Sequence, residues 1–265
     1  MIELATSKIV AVVDGHIGWL TFNNPARRNA VSLEMWQGVG DALEVFQNDA
    51  QVRVVVMQGA GGRAFVSGAD ISEFDAQRAN AQQRQQYADI AARGGRWLAQ
   101  FDKPLIAMIQ GFCIGGGLGI ALNADVRFAT PGSRFAIPAA KLGLGYEYAG
   151  LANLARLVGP SSARDILFSA RLLDADEALR IGLINFVVAE AELAARVRDY
   201  AQTIARNAPL TIRAAKAAVN AFERYSRTED ARAVAALVDA CFDSEDYKEG
   251  RRAFAAKRAP EFRGS

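Results

Sequence analysis

Histidine and cysteine are scarce in this sequence. Among its 265 residues there is one histidine, His16, and there are two cysteines, Cys113 and Cys241. The cysteines lie far apart and form no Cys-x-x-Cys pair, so neither a structural zinc site nor a disulfide-linked secreted scaffold is expected. With a single histidine, a histidine-rich metal centre is not expected, and a Ser-His-Asp triad could use only His16. We therefore expect no metal, and we expect His16 at the surface.

An excess of charge of one sign is also lacking. The chain has 31 lysine and arginine residues against 29 aspartate and glutamate residues, which gives a formal net charge of +2. That charge is too small to indicate nucleic acid or an anionic membrane surface as a partner. With 51% of its residues hydrophobic, the chain has the composition of a globular protein with a sizeable core.

One uncharged stretch, residues 104–124, is about as long as a membrane-spanning helix. It opens with a proline, however, and it contains five glycines between Gly111 and Gly119. These features favour a strand, a glycine turn and a short buried helix. Residues 1–13 lack the long apolar run of a signal peptide. The sequence therefore predicts a cytoplasmic protein without a membrane span.

Short strands and helices alternate in the first half of the chain. Asp14-Gly15 is a turn dipeptide between two apolar runs and predicts a hairpin. Ser32 is the predicted N-cap of the first helix, whose apolar residues recur at helical spacing. The predicted strands cover residues 10–13, 17–22, 52–57, 105–109, 126–129 and 186–188, and the predicted helices of this half cover 33–46 and 81–101.

The second half of the chain is mostly helical in its pattern. From about residue 190 it is rich in Ala, Arg and Glu at helical spacing. Strands that come first and helices that come last predict an α/β fold with a helical C-terminal module. We place the boundary between a core of residues 1–200 and a module of residues 201–265.

Two glycine-containing turns follow predicted strands, at residues 64–70 and 110–119. Glycine at a strand-to-helix turn lets the backbone bend sharply and lets a ligand approach its N–H groups. Two such turns that face one another would supply two N–H donors to one oxygen anion, as an enolate or a tetrahedral oxyanion requires. For either turn alone, tight packing is an equally good explanation.

The two turns, in this order, resemble those of the crotonase (enoyl-CoA hydratase/isomerase) superfamily. The resemblance covers almost the whole chain. Its other parts are Thr21-Phe22-Asn23-Asn24-Pro25 with Arg28-Asn29-Ala30, then Ala124-Asp125-Val126 after the second turn, then 174–188, and finally 250–262 with Ala253-Phe254 and Lys257-Arg258.

The resemblance implies a spiral of ββα units, and it makes residues 201–265 the trimerisation module of a homotrimer or of a hexamer of paired trimers. It implies an acyl-CoA substrate, with no cofactor apart from the coenzyme A of that substrate. By position, the backbone N–H groups of Ser67 and Gly116 would bind the thioester oxygen. The residues expected to contact the substrate or its CoA are Arg27, Arg28, Ala30, Ser67, Ala69, Asp70, Ile71, Gly115, Gly116 and Lys257, with Arg263 near Lys257. Asp70 and Asp125 are expected to brace backbone and subunit contacts.

The sequence departs from the hydratases of this superfamily at two positions. Water addition to an enoyl thioester needs carboxylates that deprotonate the water and protonate the α-carbon. Where the resemblance places those two glutamates, this chain has Gly119 and Ala139. Neither side chain can transfer a proton, so we expect neither hydration nor isomerisation by the usual mechanism.

The loop after this region offers two other catalytic candidates, Tyr146 and Glu147. The stretch from Leu142 to Leu154 resembles methylmalonyl-CoA decarboxylase, a member of the superfamily that lacks the glutamate pair and has a tyrosine at the position of Tyr146. The match is incomplete, because the decarboxylase carries a histidine where this chain has Ala69. Wall packing for Tyr146, and a helix-terminal or surface charge for Glu147, are the alternative explanations.

The sequence thus predicts an enzyme that acts on an acyl-CoA thioester through an enolate held by two N–H groups. A decarboxylase, a hydrolase and an atypical lyase or isomerase all fit this description. The alternative is a catalytically silent acyl-CoA-binding protein that retains the scaffold.

Overall fold

A computed structural model describes residues 1–70, 81–146, 148–224, 239, 242–258 and 260. Four residues discussed above, Ile71, Glu147, Cys241 and Arg263, lie outside the described residues. Nine strands are described: β1 Ile9–Asp14, β2 Ile17–Phe22, β3 Val54–Gly59, β4 Ala64–Val66, β5 Leu105–Ile109, β6 Phe112–Ile114, β7 Val126–Ala129, β8 Arg134–Ala136 and β9 Phe186–Val187.

The strands form two sheets. The larger sheet has the order β1-β2-β3-β5-β7-β9, in which only β1 and β2 pair antiparallel. The smaller sheet has the order β4-β6-β8 and is parallel. Consecutive strands therefore alternate between the sheets from β3 to β8, and helices follow the pairs, which is the ββα spiral that the resemblance implied.

The large sheet is covered on both faces. Val55 and Met57 of β3 belong to the main core cluster, whereas Val54 and Val56 belong to a second cluster on the opposite face. Side chains alternate between the faces of a strand, so a strand buried on both sides must be apolar throughout. This burial explains the apolar run at residues 54–57, and β3 confirms the strand predicted at residues 52–57 with its bounds two residues later.

Eight α-helices have described bounds: α1 Leu33–Asn48, α2 Ala81–Gln100, α3 Gly116–Ala121, α4 Tyr148–Ser169, α5 Ala175–Arg180, α6 Glu190–Arg206, α7 Pro209–Arg224 and α8 Glu245–Ala255. Helix α1 begins after Ser32 as predicted, although the Ser32 side chain makes no capping hydrogen bond. A 3₁₀ helix at Pro138–Leu142 packs against α8.

Helix α6 crosses the predicted boundary between residues 200 and 201. Its Leu193 and Val197 pack on the large sheet, and Ala201 and Ala205 continue the same buried cluster. The helix is therefore part of the core up to its last turn, and α7 is the first element that can belong to a separate module.

The uncharged residues 104–124 form the predicted strand, β5, and the predicted short helix, α3, with the unpredicted strand β6 inside the glycine-rich segment between them. Across the described part of the chain, no helix combines the length and the apolar character needed to cross a membrane.

Candidate active site

Helix α3 starts where the small sheet ends. Strand β6 leads into it through Gly115, and Gly117 in its first turn packs against β4. A β-carbon placed on Gly117 would lie 2.0 Å from the carbonyl oxygen of Val66, so only glycine permits this approach. The close packing brings the N-terminus of α3 to the end of β4, beside residues 67–70.

The backbones of Gly116 and Ala69 approach each other at this point. A β-carbon placed on Gly116 would lie 3.7 Å from the Ala69 nitrogen. Val31 pairs with the segment around Ala69, because Val31 N donates to Gly68 O and Asp70 N donates to Val31 O, both at 2.9 Å. In such a bridge the N–H of the central residue points away from the partner strand. The Ala69 N–H therefore points away from Val31.

The N–H of Ser67 is engaged elsewhere. It donates to the carbonyl oxygen of Arg28 at 3.1 Å, and the Ser67 hydroxyl donates to the carbonyl oxygen of Arg27 at 3.3 Å. The first hydrogen bond contradicts the prediction that Ser67 N–H is an oxyanion donor. Gly68, at φ 117°, turns the chain between Ser67 and Ala69. In a regular strand the N–H groups of Ser67 and Ala69 would point the same way. Because Gly68 turns the chain between them, they point in different directions.

Gly119 lies one turn after Gly116 on α3. No atom of the described residues comes within 4 Å of a β-carbon placed there, so open space surrounds the position. Ala139, in the 3₁₀ helix, is half-buried and packs against the main core. Both positions where the hydratase glutamates were expected thus carry no group that can transfer a proton.

Tyr146 reaches the start of α3. It is half-buried against the main core, and its hydroxyl lies 3.6 Å from a β-carbon placed on Gly115. The same ring lies 3.9 Å from a β-carbon placed on Gly150. The phenol therefore stands beside the residue that precedes the predicted donor Gly116. Both predicted functions of Tyr146, wall packing and catalysis, are compatible with this position.

The predicted CoA contacts form a charged edge beside these loops. Arg27 is half-exposed, and its Nη1 lies 3.5 Å from Oδ1 of Asp70, which is 8% exposed. The Arg28 guanidinium lies 5.5 Å from the centre of the Phe112 ring. Ala30 is buried beneath them. Lys257 is exposed and lies two residues after the end of α8.

Asn29 holds the first loop in place, a role that sequence reasoning missed. It is fully buried; its Oδ1 accepts from Asn24 N at 2.9 Å, and its Nδ2 donates to the carbonyls of Ala60 and Ala64 at 3.0 and 2.8 Å. It thus ties the segment that carries Arg28 to the turn before β4. Asn29 was visible in the sequence motif Arg28-Asn29-Ala30, but its hydrogen-bond partners were not.

The other predicted side chains lie away from these loops. Asp125 Oδ2 accepts from Leu105 N at 2.7 Å and from Lys216 Nζ at 2.8 Å, which confirms that it braces the backbone; its predicted role in subunit contacts stays a prediction. His16 is exposed, as predicted, with Nδ1 2.8 Å from the Gln51 carbonyl oxygen. Cys113 is fully buried in β6, and burial raises the pKa of its thiol, so it is inert at neutral pH.

A protein-family model described as enoyl-CoA hydratase/isomerase matches residues 13–265. The chain therefore belongs to the enoyl-CoA hydratase/isomerase family, the crotonase superfamily of the sequence analysis.

Individual relatives are similar along nearly their whole length. The short-chain-enoyl-CoA hydratase of Clostridium acetobutylicum is 34% identical over 255 residues, which are 95% of this chain and 96% of that protein. The structure of an enoyl-CoA hydratase/carnithine racemase from Magnetospirillum magneticum is 37% identical, with a TM-score of 0.81 over 98% of this chain and 97% of that one. Methylmalonyl-CoA decarboxylase in complex with 2-nitronate-propionyl-CoA is 27% identical, with a TM-score of 0.90 over 98% and 100% of the two chains.

These likenesses confirm the predicted fold class and the two resemblances stated from the sequence. The chain is a crotonase-family enzyme with an acyl-CoA substrate.

Proposed function

We propose that this enzyme forms a thioester enolate whose oxygen is held by the N–H groups of Ala69 and Gly116, and that it decarboxylates a malonyl-type acyl-CoA. The observation that carries the proposal is the approach of the Ala69 and Gly116 backbones, together with the absence of a carboxylate at positions 119 and 139. Ala69 takes the place predicted for Ser67, whose N–H is bound to Arg28.

Decarboxylation suits a site of this composition because it needs no general base. The bond between the α-carbon and the carboxylate breaks, its electron pair forms the enolate, and carbon dioxide leaves. Two preorganised N–H donors stabilise the negative charge that develops on the thioester oxygen. A solvent-derived proton then adds to the α-carbon and gives the saturated acyl-CoA.

Tyr146 is the side chain best placed to act beside the enolate. Its hydroxyl lies next to Gly115, from where it can donate a hydrogen bond to the substrate carboxylate or deliver the proton to the α-carbon. Glu147 remains a second candidate from the sequence, as a displaced acid or base.

Two kinds of relative support different parts of this proposal. The enoyl-CoA hydratase names support the acyl-CoA substrate class. Methylmalonyl-CoA decarboxylase, with the higher TM-score of the two structures compared, supports the reaction. We further propose that Arg27, Arg28 and Lys257 bind the phosphates of CoA, because guanidinium and ammonium groups bind phosphate strongly, and that Asp70 orients Arg27 through their ion pair. Coenzyme A then enters only as part of the substrate.

A substrate panel with mass-spectrometric readout tests this function. Purified enzyme is incubated with malonyl-, methylmalonyl-, crotonyl- and 3-oxoacyl-CoA. We expect loss of carbon dioxide from a malonyl-type member and a kcat about 10- to 100-fold lower for Tyr146→Phe. Tyr200→Phe, in the aromatic cluster with Phe128 and Phe186 on the far face of the large sheet, is the control and should match wild type.

The panel also separates the alternative. Saturable binding of several acyl-CoAs without conversion of any of them would identify a silent acyl-CoA-binding protein. Fast hydration of crotonyl-CoA would contradict the proposed loss of the two-carboxylate mechanism.

A further inference from the structure

Arg127 is a buried cation on β7 that points toward the far end of α3. It is only 3% exposed. Its Nη1 donates to the carbonyl of Ala124 at 2.5 Å and lies 3.5 Å from that of Ala121, the last residue of α3. Its Nε donates to the carbonyl of Leu183 at 2.9 Å. The guanidinium therefore links the end of α3 to the turn before β9.

Helix α3 needs such support from outside. It has six residues, and three of them are glycine: Gly116, Gly117 and Gly119. Glycine is among the weakest helix formers, and a helix this short is not stable by itself. Packing of Gly117 on Val66 fixes the first turn. The last carbonyls of α3 accept from the backbone N–H groups of residues 122–124, and the buried arginine holds the end of that segment through the Ala124 carbonyl.

The backbone of Arg127 is held separately from its side chain. Arg127 N donates to Asn185 Oδ1 at 2.8 Å, and Asn185 N donates to the Arg127 carbonyl at 2.9 Å. Removal of the Asn185 amide therefore weakens the same junction between β7 and the turn before β9. It leaves the guanidinium contacts to Ala121 and Ala124 in place, which makes Asn185 a matched control.

We propose that Arg127 is a positioning residue for the oxyanion donor Gly116, and this inference rests on the proposed function. Loss of the guanidinium releases the Ala124 carbonyl and loosens residues 122–124, whose N–H groups cap α3, so the glycine-rich helix can shift about its anchored first turn. A donor must lie about 3 Å from the developing oxyanion, and a misplacement of roughly 1 Å can reduce the rate about a hundredfold. Arg127 would thus act on catalysis from the opposite end of α3.

The test is difference infrared spectroscopy of bound [1-13C]butyryl-CoA, a saturated thioester that carries no carboxylate and stays unchanged. Hydrogen bonds from Ala69 and Gly116 should lower the stretching frequency of its carbonyl in the wild-type enzyme. In Arg127→Met we expect a loss of at least about half of this shift, a kcat about 10- to 100-fold lower, and a KM changed less than about threefold. Asn185→Ala should lose thermal stability and keep the full shift.

Each outcome decides between the two proposals. A folded Arg127→Met with the full wild-type shift would overturn the role of Arg127 and leave the oxyanion hole intact. An equal loss of shift in Asn185→Ala would also overturn it, because the effect would then be general destabilisation. No shift in the wild-type enzyme would overturn the oxyanion hole itself and the Arg127 inference with it.

Arg127→Lys decides the matter if the methionine variant does not fold. Lysine places one nitrogen where the guanidinium places two, Nη1 at the Ala124 carbonyl and Nε at the Leu183 carbonyl, so we expect a partial shift. A full shift in this variant would contradict the inference.

Discussion

Two glycines of α3, two residues apart, have opposite surroundings. Gly117 faces the Val66 carbonyl, while the space beside Gly119 is open. A methyl group would collide with backbone at the first position and would meet nothing at the second. The difference separates the glycine that packs α3 on β4 from the one at the position where a hydratase glutamate was expected.

Gly117→Ala and Gly119→Ala should therefore differ sharply. We expect Gly117→Ala to lower the free energy of unfolding by about 3 kcal/mol or more and to abolish turnover, because β4 and α3 must separate. Gly119→Ala should keep the stability within about 1 kcal/mol or raise it, since alanine favours a helix. Chemical denaturation and turnover assays measure both. Equal stability of the two variants would contradict the packing of α3 on β4.

Asn29 is the second residue on which the first loop depends. Its amide donates to two buried carbonyls, and an aspartate would place a carboxylate against them. We expect Asn29→Asp to cost about 2–4 kcal/mol of unfolding free energy. Asn23→Asp is the control, because the side-chain amide of Asn23 donates to Ser7 O in an exposed hydrogen bond, and this change should cost less than about 1 kcal/mol. A small effect at Asn29, measured by urea denaturation, would show that the loop is held by other contacts.

The sequence identified the two loops of the candidate site correctly, but it did not identify which N–H group of the first loop faces Gly116. The turn at Gly68 decides that Ala69 rather than Ser67 faces Gly116, and a pattern of residue types carries no record of a backbone dihedral. The second donor, Gly116, and the missing carboxylates at 119 and 139 could be assigned because they depend only on position in a motif. Gly116 as a donor stays a prediction until a bound thioester is measured.

Among the elements, the strands of the small sheet were not predicted. β4, β6 and β8 have three residues each, too few for an alternating pattern, and two of them lie inside segments that read as glycine turns. The longer strands of the large sheet were predicted because hairpin chemistry at Asp14-Gly15 and two-sided burial leave clear patterns. Which strands pair with one another, and in which sheet, depends on tertiary structure and cannot be read from these local patterns.

Lys216 is one of the residues that attach helix α7 to the core. Lys216 Nζ donates to Asp125 Oδ2 at 2.8 Å and to the Lys103 carbonyl at 2.9 Å, and its side chain is 14% exposed. Asp125 in turn accepts from Leu105 N, so the contact joins α7 to the start of β5.

Lys216→Met should loosen this helix. We expect a cost of about 1–2 kcal/mol and faster hydrogen–deuterium exchange in α7, with little change in β5. Lys8→Met removes the exposed pair with Glu34 and should cost less than about 1 kcal/mol. Unchanged exchange in α7 would show that other contacts, such as the ion pair between Arg213 and Asp102, are enough to hold the helix.

For the whole molecule, the fold class and the family followed from the sequence because the motifs extend over nearly all of it. The division into residues 1–200 and 201–265 stays a prediction; α6 spans this boundary, and its packing on the large sheet continues to Ala205. Assembly into trimers or hexamers stays a prediction. The proposed reaction rests both on the missing carboxylates at positions 119 and 139 and on the two loops that the chain retains.

Incubation of the wild-type enzyme with methylmalonyl-CoA in D2O, followed by mass spectrometry, tests the central claim most directly. An enolate formed by decarboxylation must take one deuteron from solvent, so we predict propionyl-CoA with a single deuterium on its α-carbon. Crotonyl-CoA in a parallel incubation should remain unhydrated. Unchanged methylmalonyl-CoA together with rapid conversion of crotonyl-CoA to 3-hydroxybutyryl-CoA would contradict the account.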